Sequence, residues 1–495
     1  MFGLLLAISF AYKVRGLGTA YWIDEGLSVG IGSHPISQIP AVLKLDGSPP
    51  LYYVMIHVWM SMFGTGEWAT QSLSVIIGVL CVPAAFWAGN VMFGRRVAWA
   101  AAAITAVNPF LTVHSYEARM YALMTLLGLL ASTAFVLAFV QRRRLWIPVF
   151  GVLLAAMLYT HNWALFFGAA SVAALGWLAY KERDERGELV RDGVIGFGIT
   201  ALLYAPWLPT LTYQVQHTGA PWSRRPMFDE LIFGTGTTIG GRGPSVALAL
   251  IAGVAISGFV AAKRTRDLRT TQTLLVLFAG TVLIAFLSSQ LSPAWASRYL
   301  AISLGPLMLF AAAMFPNAGR LGIWALAIFL AINVLPNPVS KLDPSDEKAV
   351  AEIVGPWTRP GDLVILTHPE RVPIMRHYLG PQLRYANLFG PVKDPQYFNW
   401  SDALERIKHV RVARNLEPLL NTVPVGGRVM LVRAIIDKKA NSWKASWTKR
   451  IALQGRHWAH ALNADPRFRP VISAPNPYAS LRFGVRAVLY QRIKR

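Results

Sequence analysis

The sequence predicts a polytopic α-helical membrane protein that carries a soluble α/β domain at its C-terminal end. Hydrophobic residues make up 54% of the 495-residue chain, charged residues make up 15%, and the mean hydropathy is +0.40. The apolar residues form long runs separated by short basic clusters, which is typical of a chain that crosses a membrane several times. These observations exclude a soluble protein of this size, a disordered chain and a collagen-like repeat.

About eleven apolar segments are candidate membrane spans, because a spanning helix needs about 20 residues. They lie at residues 1–20, 70–93, 97–113, 118–140, 145–160, 163–180, 192–212, 244–262, 271–290, 298–316 and 319–335. The first is the weakest, since only Met1 to Tyr12 is cleanly apolar. Either this helix continues through Lys13 and Arg15 by snorkelling, or residues upstream are missing, and a cleaved signal peptide is the rival interpretation.

The links between these segments predict the topology. Five links that occur at every second turn hold 14 Lys and Arg residues: 95–96, 142–144, 181–191, 263–269 and 320. By the positive-inside rule these links are cytoplasmic, so the alternate links and the C-terminal tail lie outside. The aromatic stretch Leu51 to Met62 is short for a span, and we interpret it as an interfacial helix along the outer leaflet.

The last 160 residues form the second predicted domain. Residues 1–335 make up the transmembrane domain, with a first outer loop at about 21–69, and residues 336–495 make up the soluble one. The tail holds 26 Lys and Arg against 12 Asp and Glu, a net charge of +14, without a run long enough to span a bilayer. Next to a membrane, such a charge favours anionic headgroups or a phosphorylated lipid or glycan over nucleic acid.

Local patterns in the tail predict an α/β domain. Helices are expected at residues 348–357 and 372–379, and strands at 361–367, 429–436 and 485–490. The single cysteine, Cys81, lies in an apolar run, so the chain has no disulfide framework.

The first candidate site is the acidic pair Asp24 and Glu25, which follows the first span on the outer side. Carboxylates at the mouth of a membrane domain act as general bases or metal ligands. The alternative is a loop carboxylate that offsets Lys13 or Arg15. Together with Glu117, this pair has the oxygen ligands that Mg²⁺ or Mn²⁺ prefers, so we keep a divalent cation held by Asp24 and Glu117 as an open expectation.

Three further candidate sites lie on the same predicted side. Glu117, Arg119 and Tyr121 stand close together in an otherwise apolar region, although Glu117 alternatively pairs with Arg119 or caps the next helix. His161 is the third candidate, and taken alone it is more often an interfacial histidine than a catalytic one. The fourth is Arg298 with Tyr299, because a guanidinium at an outer helix start matches phosphate oxygens bidentately.

The order of these motifs resembles the GT-C glycosyltransferases. The shared features are the outward Asp-Glu pair, then Gly47 to Tyr53 (GSPPLYY), then a basic FGRR turn, then Tyr116 to Tyr121 (YEARMY) after an Asn-Pro. The chain is most similar to the bacterial family 39 enzymes of the protein O-mannosyltransferase and aminoarabinose transferase kind. It departs from the latter at Gly47 and Ser48, where those enzymes have Glu-Lys, which argues against an aminoarabinose donor or a lipid A acceptor.

The resemblance implies an inverting enzyme that takes a sugar from a polyprenyl-phosphate carrier and transfers it to a glycan, lipid or protein acceptor outside the cytoplasm. It implies that Asp24 is the catalytic acid of the first loop, that Glu25 completes the pair and that Glu117 is the acid of the second loop. The substrate-binding candidates are Arg119, Tyr121, His161, Arg298, Tyr299, Tyr52 and His57.

Other functions stay open from the sequence alone. A transporter or flippase of lipid-linked sugars is also polytopic, but it would place ionisable residues at mid-span, and few occur here. A scaffold that binds cell-wall polymers would not need clustered outer carboxylates and arginines. High Ala, Gly, Arg and Trp usage is typical of a GC-rich genome and favours mannose or arabinose as the sugar. We therefore expect a multi-pass plasma-membrane enzyme with an extracytoplasmic active site.

Overall fold

A computed structural model of the chain describes residues 2–334, 346–436, 444–474 and 483–494. It confirms the predicted fold class, because a large helical part precedes a mixed β-sheet. The helices of the first part are α1 (Phe2–Lys13), α2 (Ile23–Gly32), α3 (Ile39–Asp46), α4 (Leu51–Phe63), α5 (Glu67–Phe93), α6 (Arg95–Val107), α7 (Pro109–Ser115), α8 (Tyr121–Phe135), α9 (Trp146–Thr160), α10 (Ala164–Lys181), α11 (Arg186–Tyr204), α12 (Leu208–His217), α13 (Phe228–Thr237), α14 (Arg242–Ala261), α15 (Thr265–Leu291), α16 (Ala301–Asn317) and α17 (Gly319–Val334).

Fewer helices than the predicted eleven are long enough to span a bilayer. Within the described residues, seven have the necessary length and composition, and α6 with α7, bent by 51°, makes an eighth if the pair is one span. The other three predicted segments fold as α1, α9 and α17, of 12, 15 and 16 residues. Helix α4 has 13 residues and is too short to cross, as predicted for an interfacial helix.

Helices α8 and α16 form the core of the helical part. In their most apolar windows, 83% and 89% of the residues are buried inside the protein. Their backbones approach closely at Gly128 and Gly305, where an added Cβ atom would lie 2.8 Å from the Ile302 carbonyl oxygen and 2.3 Å from the Leu129 nitrogen, respectively. Small residues at such crossings allow the close packing that holds membrane helices together.

Three of the basic links meet at one end of the helices. Arg142 pairs with Glu185 and Glu188, which lie in the next basic link, and Arg269 pairs with Glu182. These pairs join the links at 142–144, 181–191 and 263–269, as the alternating topology requires.

The C-terminal part is a six-stranded sheet in the order β3-β2-β1-β4-β6-β5. Its strands are β1 (Leu363–Leu366), β2 (Arg384–Asn387), β3 (Gly390–Pro391), β4 (Arg428–Ile436), β5 (Phe468–Ala474) and β6 (Phe483–Arg492), and its helices are α18 (Glu347–Val354), α19 (Val372–Leu379), α20 (Ala403–Lys408), α21 (Glu417–Asn421) and α22 (Ser446–Ala464). Strand β1 pairs in parallel with β2 and β4, so Leu363 faces Arg384 on one side and Val429 on the other.

Both faces of the sheet are covered, which explains why β1 is apolar at every position. Leu363 and Ile365 join the core that contains α22, whereas Val364 and Leu366 join the core that contains α18 and α19. The predicted domain boundary between residues 335 and 336 falls in the segment 335–345, which lies outside the described residues.

The sheet part packs against α2. A Cβ atom on Gly26 would lie 2.6 Å from Ile374 of α19, and one on Gly30 would lie 2.0 Å from the carbonyl oxygen of Gln396. Leu27 of the same helix enters the core around Trp447. Helix α2 is therefore enclosed between the membrane helices and the sheet.

Candidate active site

The acidic pair lies in the first turn of α2. Asp24 and Glu25 occupy the second and third positions of the helix, where carboxylates complement the helix dipole. The Glu25 carboxylate accepts a hydrogen bond from the Trp22 backbone N–H at 3.2 Å, which stabilises the helix start. The two carboxylates then point to different surroundings.

Glu25 points into the protein and joins the two loops that hold the predicted site residues. Its Oε1 accepts hydrogen bonds from the backbone N–H of Ala118 at 2.8 Å and from Gln71 Nε2 at 3.1 Å. The residue is 1% exposed, and burial raises the pKa of Glu25 to about 8, against the effect of these hydrogen bonds. These contacts with both loops indicate that Glu25 positions the residues around it.

Asp24 faces the arginines. Its Oδ2 lies 3.3 Å from a terminal nitrogen of Arg298, and its side chain is 19% exposed. Its backbone carbonyl accepts a hydrogen bond from Arg119 at 3.2 Å. Asp24 is thus a carboxylate that a substrate can reach, with cations at its side chain and its backbone.

Arg119 connects the second outer loop to two helices of the first. Besides the Asp24 carbonyl, its guanidinium donates to Ser28 Oγ of α2 at 3.0 Å and to the Tyr53 hydroxyl of α4 at 3.2 Å. The residue is only 7% exposed. This buried arginine therefore holds α2 and α4 in register with the second loop.

Arg298 is surrounded by aromatic rings. Its guanidinium carbon lies 5.2 Å from the ring centre of Trp22 and 5.3 Å from those of Trp222 and Tyr299. Arginine stacks on aromatic faces while its nitrogens stay free to donate. This arrangement orients the Arg298 fork beside Asp24.

Several buried N–H donors around Asp24 and Arg298 lack an acceptor in the described structure. In the part of the chain that the structure describes, the Nε1 atoms of Trp22 and Trp163 and the Nε atoms of Arg119 and Arg298 have no hydrogen-bond partner. The Trp163 ring lies 5.2 Å from Tyr299, next to Arg298. Buried polar groups are normally satisfied, so unpaired donors beside two cations indicate a place for an anionic ligand.

The other predicted residues of the second and later loops lie around this centre. Glu117 pairs with His114 at 2.8 Å, and the Tyr121 ring lies 5.8 Å from the Arg119 guanidinium. His161 contacts the Tyr299 ring at 4.5 Å. Burial, with the charges of Arg119 and Arg298, lowers the pKa of His161 to about 3, so its ring is neutral.

Tyr52 and His57 make contacts away from the Asp24 carboxylate. The Tyr52 hydroxyl is 3.0 Å from Ser74 Oγ, and Ser74 in turn donates to the Arg119 carbonyl. The His57 ring binds the carbonyl of Gly32, at the far end of α2. Tyr52 therefore supports the Arg119 backbone through Ser74, and His57 supports the end of α2.

Sequence reasoning missed Asp46, which closes α3 before the left-handed Gly47 (φ 99°). Burial raises the pKa of Asp46 to about 6, a rise that Ser48 and Arg119 oppose and that the charge of Asp24 increases. Asp46 therefore lies near both Arg119 and Asp24. Its position directly before the GSPP motif was the available signal. The tryptophans around Arg298 and the Tyr53 hydroxyl had no such signal, because single aromatic residues are common in membrane proteins.

The two predicted cation ligands have other partners in the described structure. No group of three or more His, Cys, Asp or Glu side chains among the described residues is arranged to hold an ion. Asp24 is paired with Arg298, and Glu117 is paired with His114. Coordination by Asp24 and Glu117 stays a prediction, and the chemistry below is derived from the side chains alone.

The chain was compared with known protein families, curated sequences and solved structures. Residues 47–209 match the family model described as dolichyl-phosphate-mannose-protein mannosyltransferase. A sequence search finds no significant match among curated proteins.

Three solved structures share the architecture. ArnT from Cupriavidus metallidurans, bound to undecaprenyl phosphate, has a TM-score of 0.60 and 13% identity, with 87% of this chain and 92% of that one covered. The oligosaccharyltransferase AglB from Archaeoglobus fulgidus, in complex with an inhibitory peptide and a dolichol-phosphate, has a TM-score of 0.55 and 11% identity, with 98% and 74% covered. The arabinofuranosyltransferase AftD from Mycobacteria has a TM-score of 0.52 and 14% identity, with 100% and 40% covered.

These matches confirm the resemblance found in the sequence. The chain is a membrane protein with the GT-C glycosyltransferase fold, and its residues 47–209 carry the sequence signature of the dolichyl-phosphate-mannose-protein mannosyltransferase family.

Proposed function

We propose that the chain is an inverting glycosyltransferase that transfers mannose or arabinose from a polyprenyl-phosphate carrier to an acceptor hydroxyl outside the cytoplasm. One observation carries the proposal. The reachable carboxylate of Asp24 lies 3.3 Å from Arg298, among buried N–H donors that have no partner in the described structure. The reaction requires a base for the acceptor hydroxyl and a cationic site for the departing phosphate, and this site contains both.

In this reaction Asp24 acts on the acceptor hydroxyl, and Arg298 acts on the carrier phosphate. The acceptor oxygen forms a bond to the anomeric carbon while its proton passes to Asp24. The bond between the anomeric carbon and the carrier phosphate breaks, and both its electrons leave with the phosphate. Arg298, with Arg119 assisting, stabilises that charge by hydrogen bonds.

The ion pair between Asp24 and Arg298 links donor binding to catalysis. A guanidinium has five N–H donors, so Arg298 can donate hydrogen bonds to a bound phosphate. When it does so, its contact with Asp24 weakens. A carboxylate that loses a cationic partner becomes a better proton acceptor. Donor binding therefore prepares Asp24 as the base for the acceptor.

The remaining carboxylates have supporting roles in this proposal. Glu25 and Glu117 were predicted to be catalytic, and their contacts favour positioning of the two outer loops. Glu25 accepts the Ala118 N–H at 2.8 Å, and Glu117 lies 2.8 Å from His114. Asp46 lies near Arg119 and Asp24 and is a candidate to orient the sugar or the acceptor.

The family match supports mannose as the first sugar to test, because the matching model describes mannosyltransferases. The acceptor class, whether glycan, lipid or protein, is left to the assay.

The test is product formation from a panel of polyprenyl-phosphate sugars. The purified full-length chain is incubated with each donor and with candidate glycan, lipid and peptide acceptors. We expect release of the polyprenyl phosphate coupled to a glycosylated product with at least one donor. A transporter would move the lipid-linked sugar across vesicles without breaking its glycosidic bond, and that result would replace the proposal.

The proposed sidedness is tested by cysteine labelling in a Cys81→Ala background. Arg143 is exposed at the basic end of the helices, and Glu405, with a 64% exposed side chain, is on the sheet part. In intact cells, an impermeant thiol reagent should label Glu405→Cys and spare Arg143→Cys. Labelling of position 143 but not of position 405 would reverse the topology.

A further inference from the structure

A polar cavity lies on the other side of α2, the helix that carries Asp24. It has a volume of about 230 Å³ and lies between α2 and α19, and we name it the α2–α19 cavity. Its lining residues are Gly26, Val29, Gly30, Ser33, Thr65, Pro373, Arg376, His377 and Gln396. A water molecule takes up about 30 Å³ of liquid, so the space is enough for a phosphate group with part of its alcohol.

The cavity is distinct from the candidate active site. Gly26, Val29, Gly30 and Ser33 are spaced three and four residues apart, so they lie along one face of α2. Asp24 is two residues from Gly26 and therefore lies about 200° around the helix, at 100° per residue. A ligand in the cavity would touch the same helix as the substrate but on the opposite side.

In the described structure, the polar side chains that the sheet part contributes to the cavity have no hydrogen-bond or ion-pair partner. Within the described ranges, Arg376 and Gln396 form no side-chain hydrogen bond or ion pair, and the ring nitrogens of His377 form none either. Burial lowers the pKa of His377, so its ring is neutral and has one donor and one acceptor nitrogen. Arg376 is only partly exposed and provides an uncompensated charge.

Arg376 is the cation among the described residues that line the cavity, and the two carboxylates nearby already have partners of their own. Glu67 pairs with Lys348 at 3.0 Å, and Asp394 pairs with His34 at 2.7 Å. An anion with several oxygen acceptors therefore fits this cavity better than a neutral or cationic ligand.

The position of Thr65 places the cavity at the depth of lipid headgroups. Thr65 lies two residues before α5, whose 27 residues extend for about 40 Å, so its first turn reaches beyond the hydrocarbon core of about 30 Å. Phe63 and Trp68 flank this turn and are 53% and 64% exposed, as expected for aromatic side chains at a membrane interface.

We propose that the α2–α19 cavity binds the phosphate headgroup of an anionic bilayer lipid, with Arg376 as its charged partner and Gln396 and His377 as hydrogen-bonding partners. The bound headgroup would join α2 to the sheet part at the membrane surface. It would thereby hold the helix that carries Asp24 against the domain beside it, as a lipid ligand separate from the sugar carrier.

The test counts lipids bound to the full-length protein, without any sugar donor, so that its outcome is independent of the proposed transferase activity. The protein is placed in nanodiscs of phosphatidylcholine with increasing phosphatidylglycerol, and retained lipid is measured by native mass spectrometry. We expect a retained phosphatidylglycerol in the wild type. Affinity should fall about tenfold or more in Arg376→Ala, because a hydrogen bond to a charged group is lost, and it should recover in part in Arg376→Lys.

Arg469→Ala is the matched control, because Arg469 is an exposed arginine on β5 of the same sheet, and it should retain the lipid as the wild type does. Gln396→Ala is a second variant, and it should weaken retention less than Arg376→Ala. Equal retention of phosphatidylcholine and phosphatidylglycerol, or full retention in Arg376→Ala, would overturn the proposal. Binding of soluble glycerol 1-phosphate in detergent as tightly as the lipid would reject the lipid assignment in favour of a soluble phosphate.

Discussion

Replacing Asp24 with asparagine is expected to lower turnover by about 10²- to 10⁴-fold, the usual contribution of a general base. The amide keeps the shape of the side chain and an oxygen that can still accept from Arg298, which lies 3.3 Å from Asp24 in the wild type. Donor affinity should therefore stay the same or rise, because Arg298 is released from a charged partner. The measurement is kcat at saturating donor, with donor binding and thermal stability followed separately.

Glu25→Gln is the matched control for this experiment. Three N–H donors, from Trp22, Gln71 and Ala118, converge on the two side-chain oxygens of Glu25, and an amide in its place turns an NH₂ group toward at least one of them. We expect this variant to lose thermal stability, by about 1–3 kcal/mol for a buried donor left unpaired, and to lose less turnover than Asp24→Asn. If Asp24→Asn kept near-normal turnover while Glu117→Gln abolished it, the base would have to be assigned to the second loop.

The fold could be predicted in large part because it follows from hydrophobic pattern. Apolar runs located the helices, and the expected helix at 372–379 matches α19 at both ends. Three predicted spans are shorter than a membrane span within the described residues, where α1, α9 and α17 have 12, 15 and 16 residues. Strands β2, β3 and β5 were not predicted, since β2 (RYAN) and β3 (Gly-Pro) contain no apolar run and β5 is exposed at many of its positions.

The site could be predicted only where its residues carry charge or belong to a motif. Asp24, Arg119 and Arg298 were found in this way, although Asp24 and Arg298 are far apart in sequence. Their pairing depends on the tertiary packing that brings the turn before α16 beside the first turn of α2, which no local pattern reveals. The buried orientation of Glu25 was equally hidden, because adjacent residues of one helix differ in direction by about 100°.

Replacing Arg298 with alanine is expected to weaken donor binding by roughly 10- to 100-fold, as a charge-assisted hydrogen bond to a phosphate is lost. Turnover should fall as well, because the charge on the departing phosphate is no longer stabilised, an effect of about 10²- to 10³-fold for one electrostatic donor. Acceptor affinity should change little. Measuring the donor dissociation constant and kcat separately distinguishes the two effects.

Arg298→Lys should restore only part of the donor affinity. An ammonium provides a point charge without the planar fork, and its position among Trp22, Trp222 and Tyr299, whose rings lie 5.2–5.3 Å from the guanidinium carbon, is less constrained. Arg225→Ala controls for general attraction of an anionic lipid, because Arg225 is an exposed cation in the segment that leads to α13. Unchanged donor affinity in Arg298→Ala, or an equal loss in Arg225→Ala, would remove Arg298 from the phosphate site. In that case its contact with Asp24 would serve to position the carboxylate.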